Sequence, residues 1–471
     1  MKKAITRDMT VGSPTKNILL FTLPLLIGNI FQQLYSMVDA IIVGRTISLS
    51  ALAGVGSTTA MSFLIIGFIQ GITSGFAVIT AQEFGAQNRD MVKRSVATSM
   101  MLSLLTIAIL TPIAVLTARP LLDLLKTPTD IYNDAYNYLI VIYYGVFATV
   151  LYNFGSNILR AIGDSRTPLY FLILASIINI ILDFVFILVF KMGVAGAGWA
   201  TVISQAISGI SCIAYAMIKY EILRVRPQDF KLSLKYIWKH VYVGIPMAVQ
   251  YIIIAVGLMV VQGVLNNLGS NAVAAYTAAN KVDTLSIQAL LSLGTAMATY
   301  TAQNYGANKL DRIWNGVHKS AIISICMALL CFLIIFVLKK PLIKLFAGDD
   351  YELVKDMANL YLYINSGCYI ALGMIFVYRN SLQGMGYSSI AMLAGIIELG
   401  LRVLAALVFA ELLGYMGICM SSPTAWFGAD LILLPSYYII MRKKRKKSNI
   451  NDLAKNMSYD TMKNETINKK L

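Results

Sequence analysis

Two acidic residues stand inside long apolar runs, where a charged side chain is costly. Asp39 lies in the run Met37–Ile42, and Asp183 lies in the run 168–190. Asn179 precedes Asp183 by four residues, so the two side chains share one face of a helix. An ionisable residue at bilayer depth costs about 2.5–3.5 kcal/mol on insertion scales and is usually functional or paired. Two carboxylates that meet in a low-dielectric setting cannot both stay ionised cheaply, so these residues predict a site for a proton or a sodium ion.

The composition places most of the chain in a membrane. Of its 471 residues, 58% are hydrophobic and 13% are charged, whereas soluble domains carry about 45–50% and 25%. Disordered, collagen-like and disulfide-rich proteins and soluble enzymes are therefore excluded as descriptions of the whole chain. Because a hydrocarbon core needs about 20 apolar residues per helix, the runs predict an all-α membrane protein with twelve transmembrane helices. The predicted spans lie near 18–43, 52–80, 96–117, 134–158, 168–190, 195–218, 241–266, 273–302, 317–338, 356–378, 388–410 and 415–441.

The basic residues predict how these spans are oriented. Twelve spans put both termini on one side. The termini and loops on that side, with Lys319 at the edge of span 317–338 counted among them, hold 29 Lys and Arg against 8 on the other, and Lys281 and Arg402 lie inside spans. Because Lys and Arg concentrate in cytoplasmic loops, we expect both termini in the cytoplasm. This placement explains the net charge of +16 without a nucleic-acid partner. The basic run Arg442–Lys447 indicates an anchor after the last span rather than an RNA- or lipid-binding patch.

An internal repeat divides the chain into two halves. The stretch Thr80–Ala86 (TAQEFGA) reappears as Thr301–Ala307 (TAQNYGA), an offset of 221 residues. Each half holds six spans, so the halves enter the membrane in the same orientation and are related by a pseudo-two-fold axis along the membrane normal. Two such bundles facing a central cleft are typical of alternating-access transporters. The predicted units are a cytoplasmic N-terminal leader at 1–17, an N-terminal six-helix bundle at 18–218, a cytoplasmic linker at 219–240, a C-terminal six-helix bundle at 241–441 and a basic cytoplasmic tail at 442–471.

The sequence lacks the motifs of an ATP-driven transporter and of a zinc enzyme. No Gly-x-x-x-x-Gly-Lys-Ser/Thr run occurs, so transport would draw on an ion gradient rather than on ATP. His240 and His318 have no zinc spacing, and the five cysteines lie in apolar spans as small packing residues. We expect no enzyme activity, no cofactor, and no metal other than the Na⁺ that Asp39 and Asp183 could hold.

Further polar residues are candidates for the cavity or for structural pairs. Glu398 and Arg402 stand four apart on one helix and can neutralise each other, whereas the sequence assigns no role to Asp430. The 22 Met and 26 Tyr suit a roomy pocket for flat, lipophilic cations. The candidates for the wall of that substrate cavity are Tyr35, Tyr143, Gln250, Lys281 and Asp283.

The order of several short motifs resembles the multidrug and toxic compound extrusion (MATE) family over about residues 14–441. These motifs are Pro24, Asp39 followed by Ile-Ile-Val-Gly44, Ala51–Gly56, the repeated Ala-Gln-x-Phe/Tyr-Gly-Ala, Leu159–Asp164 and Gly193–Thr201.

The resemblance implies drug efflux in exchange for protons or sodium through a V-shaped pair of bundles. In the branch that carries its ion site in the first half, an Asp of the first helix joins an Asn-x-x-x-Asp of the fifth, an Asn of the fourth and a Thr of the sixth. Asp39, Asn179 and Asp183 match that pattern, and Asn157 and Thr201 are the corresponding residues of the fourth and sixth helices.

We therefore predict a monomeric exporter in the inner membrane of a bacterium, which expels lipophilic, mostly cationic compounds in exchange for H⁺ or Na⁺ and contacts membrane lipid. Two alternatives stay open. A flippase for lipid-linked oligosaccharides would need a strongly cationic central cavity, and away from their ends the predicted spans contain only two bases, Lys281 and Arg402. A polytopic membrane enzyme would need metal-binding carboxylates in sizeable loops, and the loops here are short.

Overall fold

The computed structural model describes residues 8–231, 233–347 and 351–468, which are almost entirely helical. Among these residues nine helices are long and apolar enough to cross a membrane, or eleven when each of two bent pairs counts as one span. The remaining predicted span, 273–302, lies within a helix that contains many buried polar side chains. Large apolar side chains are exposed along the helices, including Leu116 and Leu412, as expected where helices face lipid. The protein is an integral, all-α membrane protein.

The N-terminal bundle contains the first six predicted spans. Its helices are α1 (Pro14–Thr46), α2 (Leu49–Ser57), α3 (Thr59–Gly85), α4 (Arg89–Leu124), α5 (Tyr132–Tyr144), α6 (Val146–Ala161), α7 (Arg166–Phe184) and α8 (Val194–Lys219). A π-helical turn, Val185–Val189, extends α7. The helices α5 and α6 are bent by 47° at Gly145 and together replace the predicted span 134–158.

The C-terminal bundle repeats this plan. Its helices are α9 (Leu234–Asn266), α10 (Ser270–Gly306), α11 (Leu310–Ala347), α12 (Tyr351–Gly367), α13 (Tyr369–Gly384), α14 (Ser388–Leu413) and α15 (Tyr415–Asn468). The pair α12 and α13 is bent by 46°, as its counterpart α5 and α6 is by 47°. Two short 3-10 turns, Glu221–Leu223 and Pro227–Phe230, lie in the predicted linker. The helix α15 continues past the predicted boundary at 441.

The repeat is visible in individual backbone angles. Gly163 and Gly386 follow the fourth span of each bundle with φ of 88° and 89°, and Gly193 and Gly414 precede the sixth span of each with φ of 59°. These values lie in the left-handed region, which glycine reaches without a steric penalty. The two bundles therefore share their turns as well as their helix order, which confirms the predicted two-fold repeat.

The backbones of the two bundles touch where α3 meets α10. A Cβ atom on Gly85 would overlap the carbonyl oxygen of Gln303, and one on Gly306 would overlap the carbonyl oxygen of Gln82. Both positions therefore need glycine for the backbones to touch. We call this contact, formed by Gln82, Gly85, Gln303 and Gly306, the floor.

The N-terminal segment packs onto the floor from the side of the C-terminal bundle. Met9 is completely buried, and its N–H donates to Gln303 Oε1 at 2.9 Å. Its carbonyl oxygen accepts from Asn304 Nδ2 at 3.2 Å and from Arg312 Nη2 at 3.0 Å. Met9, which belongs to the predicted leader, thus contributes to the core of the protein.

Candidate functional site

The two acidic residues predicted to bind a cation lie side by side inside the N-terminal bundle. Asp39 projects from α1 and Asp183 stands at the end of α7, and their carboxyl groups are within hydrogen-bonding reach of each other. Asp183 is completely buried and Asp39 is half-buried. Two carboxylates so close together repel each other unless a proton or a cation lies between them, because burial removes the water that would screen them.

The oxygen atoms of this pair receive no hydrogen bond from a fixed donor. Among the described residues, no N–H or O–H donates to Oδ1 of Asp39 or to either carboxylate oxygen of Asp183, and all three atoms are buried. Buried polar atoms are nearly always satisfied in folded proteins. The arrangement can therefore hold a proton shared by the two carboxyl groups, or a small cation that prefers oxygen ligands.

A second group of polar side chains surrounds the acids. Asn179, one turn before Asp183, donates from Nδ2 to Thr201 Oγ1 of α8 at 3.4 Å. The hydroxyl of Tyr35 on α1 also lies 3.4 Å from Thr201 Oγ1. Oδ1 of Asn179 is buried and accepts from no donor in the described ranges, so it is available as a further cation ligand. The structure thus brings Asp39, Asp183, Asn179 and Thr201 to one place, with Tyr35 beside them.

Local backbone features place these side chains. Asp183 is the penultimate residue of α7 and lies two residues before the start of the π-helical turn Val185–Val189; such turns are frequent at functional sites. The helix α8 begins after Gly193, whose positive φ lets the chain reverse. This start of α8 determines which of its residues, including Thr201, faces α7.

Tyr138 of α5 also lies near this acidic pair, although it was not among the predicted residues. It is close enough to Asp39, Asp183 and Tyr35 to interact with them electrostatically. No fixed sequence spacing links a residue of α5 to the acids on α1 and α7, so only the fold brings it near. Its ring packs against the small apolar cluster that contains Ile42 and Val43 of α1.

Asn157, the remaining predicted ion ligand, lies elsewhere. Its Nδ2 donates to Thr73 Oγ1 at 3.2 Å and to Ser74 Oγ at 3.3 Å, both on α3. It lines the central cavity, whose wall includes neither Asp39 nor Asp183. The structure therefore places Asn157 with the residues that could contact a substrate.

The central cavity lies between the bundles and has a volume of about 250 Å³. Its wall comes from α1, α3 and α6 of the N-terminal bundle and from α9, α10 and α13 of the C-terminal bundle. Seven amide side chains face it, namely Asn29, Gln70, Asn153, Asn157, Gln250, Asn380 and Gln383. Tyr251 and Phe376 supply aromatic surface. Such a mixture of apolar wall and convergent polar groups is typical of small-molecule sites.

Of the five predicted cavity residues, the structure places only Gln250 in the wall of this cavity, where its Oε1 accepts from Gln383 Nε2 at 2.8 Å. Tyr35 lies beside Thr201, near the acidic pair, and Tyr143 is completely buried in the apolar core between α3, α4 and α5. Lys281 is exposed away from the cavity. Asp283 is buried in the C-terminal bundle, where the hydroxyls of two tyrosines, Tyr361 and Tyr369, donate to it.

The predicted pair of Glu398 and Arg402 is present and has a third member. Arg402 Nη2 lies 2.8 Å from Glu398 Oε1, and Arg379 Nη2 of α13 lies 2.5 Å from Glu398 Oε2. All three side chains are buried. The predicted span 356–378 ends one residue before Arg379, whereas in the structure Arg379 lies within α13 and lines the cavity.

Comparisons with known proteins agree with this architecture. A sequence profile described as MatE matches residues 24–185 and 246–408, one segment in each bundle. The chain is 28% identical over 453 residues to the "Probable multidrug resistance protein YoeA" of Bacillus subtilis (strain 168), which covers 94% of this chain and 97% of that protein. It is also 28% identical over 418 residues to the protein YpnP of the same organism, named with the same words, which covers 87% of this chain and 92% of that protein.

The fold is shared with solved structures. One of them, described as the "Outward-facing conformation of a multidrug resistance MATE family transporter of the MOP superfamily", matches with a TM-score of 0.88 at 22% identity. The match covers 94% of this chain and 99% of that one.

Proposed function

The chain belongs to the MatE family, and on this premise we propose that it is a secondary active multidrug exporter, which exchanges small organic compounds for H⁺ or Na⁺. Proteins of this family are transporters, and the chain is not an enzyme. The observation that carries the proposal is the adjacent pair of Asp39 and Asp183, whose buried oxygens accept no hydrogen bond from the residues that the structure describes. Such a pair can take up a cation on one side of a membrane and release it on the other.

The helix α1 connects the ion site to the cavity. It carries Asp39 at one end, and Leu25 and Asn29 of the same helix line the cavity. Asn29 Nδ2 donates to Ser292 Oγ of α10 at 3.0 Å, so α1 also bonds to the opposite bundle. Pro24 inside α1 removes one intrahelical hydrogen bond and allows the helix to bend. Cation binding between the acids would shift α1, and that shift would change the cavity and its contact with α10.

The floor is proposed to face the bacterial cytoplasm. The N-terminal segment packs at this end of the bundles, and the loops predicted on the same side hold most of the Lys and Arg of the chain. In this orientation the described state is closed toward the cytoplasm by the floor. The cavity and the acidic pair each form within one chain, so a monomer in the inner membrane is sufficient for exchange.

The two alternative functions fit the site less well. A flippase for lipid-linked sugars would need several unpaired bases around the cavity, whereas Arg379 is paired with Glu398 and Arg160 is the one base of the wall without a carboxylate partner among the described residues. A membrane enzyme would need a metal or nucleophile site, and within the described part of the chain no group of three or more His, Cys, Asp or Glu could hold a metal.

The proposal is tested in proteoliposomes that contain the purified full-length chain. Rhodamine 123, ethidium and carboxyfluorescein are offered under a pH gradient and then under a Na⁺ gradient, with each gradient collapsed in turn. We expect exchange of at least one dye with one of the gradients. The Asp39→Asn protein should show none, and the Asp130→Asn protein, which alters an exposed acid, should exchange normally. Exchange by the Asp39→Asn protein at the normal rate would contradict the proposal.

A further inference from the structure

The side chains that line the central cavity carry positive charge, as those of a binding site for anions would. Two of the side chains that line it are basic, and the described lining contains no acidic residue. Arg379 is paired with Glu398. Arg160 has no carboxylate within salt-bridge distance among the described residues, and its buried Nε has no acceptor. The wall therefore carries an uncompensated guanidinium.

Three acids lie near these arginines, and none of them pairs with Arg160 among the described residues. Asp430 is close enough to Arg379 to interact with it electrostatically, and it does not line the cavity. Asp164 follows Arg160 by four residues, but its oxygens accept from the backbone and hydroxyl of Thr167, from the N–H of Arg166 and from the hydroxyl of Tyr220. Glu398 is shared between Arg379 and Arg402, so it contributes no spare negative charge to the cavity.

The surroundings of Arg160 are those of a binding group. Asn157 and Asn153 precede it by one and two turns on α6, and all three line the cavity. Tyr251 on α9 is close enough to Arg160 to interact with it electrostatically and offers a flat surface. A guanidinium presents its donors in a planar fork that matches a carboxylate or a phosphate with two parallel hydrogen bonds. An unpaired guanidinium that is partly withdrawn from water needs such a counter-charge.

From these observations we infer that the substrates of the cavity are organic anions, whose carboxylate or phosphate is bound by Arg160 and whose flat, hydrogen-bonding body lies against the amides and Tyr251. The inference rests on the proposed function and names its substrate class. It replaces the expectation of mostly cationic substrates, which came from the Met and Tyr content of the whole chain rather than from the residues of the wall. Flat lipophilic cations are repelled by the same guanidinium.

Binding to the purified full-length chain tests the inference separately from transport. Carboxyfluorescein and rhodamine 123 share a xanthene core and differ in the sign of their charge, so fluorescence anisotropy compares them directly. We expect carboxyfluorescein to bind at least about 10-fold more tightly. The Arg160→Gln protein should bind it roughly 30-fold more weakly, as for the loss of one partner of a buried charge pair, and should bind rhodamine 123 no more weakly. The affinity of the Arg160→Lys protein for carboxyfluorescein should lie between those of the wild type and the Arg160→Gln protein.

The controls separate a binding role of Arg160 from a structural one. Lys235→Gln removes an exposed positive charge outside the cavity and should leave both affinities unchanged. Riboflavin 5′-phosphate and riboflavin form a second pair, and preference for the phosphate identifies phosphate as an accepted anion beside carboxylate. The inference would be overturned if the wild type bound rhodamine 123 as tightly as carboxyfluorescein or more tightly. It would also be overturned if Arg160→Gln reduced the affinities for both dyes equally.

Failure of the inference and failure of the proposed function give different results. Asp39→Asn should keep the preference for carboxyfluorescein in the binding assay while losing exchange in proteoliposomes. Cation-driven exchange of rhodamine 123 that is unaffected by Arg160→Gln would leave the exporter standing and remove the anionic substrate. Selective binding of anions with no exchange under either gradient would keep the substrate class and reject the exporter.

Discussion

Gln82 and Gln303 make two equivalent hydrogen bonds between the bundles. The side-chain amide of Gln82 donates to the carbonyl oxygen of Gly384 at 2.9 Å, and that of Gln303 donates to the carbonyl oxygen of Ala161 at 2.8 Å. Each glutamine reaches from its own bundle to the end of the fourth span of the other. The repeated Ala-Gln-x-Phe/Tyr-Gly-Ala motif of the sequence is therefore the floor itself.

The two glutamines should differ in their contribution to stability. Gln82→Leu leaves the carbonyl of Gly384 without a donor, whereas Gln303→Leu leaves both the carbonyl of Ala161 and the N–H of Met9 without partners. Each orphaned buried group costs about 1–3 kcal/mol. Thermal unfolding in detergent should therefore rank wild type, Gln82→Leu and Gln303→Leu in order of falling midpoint. Gln228→Ala, in the exposed linker, should not shift it, and equal midpoints for all four proteins would contradict the symmetric contact.

The close contact of α3 and α10 should tolerate no side chain. Gly85→Ala places a Cβ onto the carbonyl oxygen of Gln303, so the floor must open or the protein must unfold. We expect a lower unfolding midpoint, and we expect the floor to become accessible to solvent. Gly263→Ala is the matched control, because no atom lies within 4 Å of its added Cβ and alanine is favoured over glycine within a helix by about 0.5–1 kcal/mol. A Gly85→Ala protein as stable as Gly263→Ala would show that the backbones do not touch.

Much of the fold follows from patterns that are local in the sequence. Apolar length predicts the spans, and the repeated motif predicts the two bundles. Local patterns do not predict where a span is interrupted. The second predicted span, 52–80, is divided into α2 and α3 at Thr58, and the fourth is bent at Gly145. Such breaks depend on how neighbouring helices pack, and hydropathy does not record that packing.

The site divides in the same way. Asn179 and Asp183 share a helix face because four residues make about one turn, so their proximity could be predicted. The contact between Asp183 and Asp39 could not be predicted from spacing, because the two residues lie on helices that are far apart in the sequence. Tyr138 joins them from a helix with no sequence link to either acid, and Arg379 finds Glu398 on another helix. Partners that come from different helices are therefore the part of the site that the sequence leaves open.

The two acids should act as one unit in exchange. Asp39→Asn and Asp183→Asn each remove one carboxyl of a pair whose members lie within hydrogen-bonding reach, and one remaining carboxyl cannot share a proton or chelate a cation as two can. We expect each single variant to reduce exchange to background, and the double variant to be no worse than either. Residues that bind one ligand together are non-additive in this way. Exchange rates in proteoliposomes compare the wild type, the two single variants and the double variant. If each single variant kept part of the activity and the two reductions multiplied in the double variant, the acids would act independently.

Thr201 should tune the affinity of the ion site without being essential to it. Thr201→Val removes the oxygen that accepts from Asn179 and contacts the hydroxyl of Tyr35, and the new methyl group cannot replace it. Asn179 would lose its fixed orientation beside Asp183, so we expect the coupling-ion concentration that gives half-maximal exchange to rise by roughly 10-fold, the equivalent of about one hydrogen bond, with little change in the maximal rate. Thr201→Ser keeps the hydroxyl and should behave as the wild type. The measurement is the exchange rate as a function of Na⁺ concentration at fixed pH and of pH at fixed Na⁺. The ion whose curve shifts is the one that the site binds, and a Thr201→Val protein with both curves unchanged would show that Asn179 does not need this contact to serve the acids.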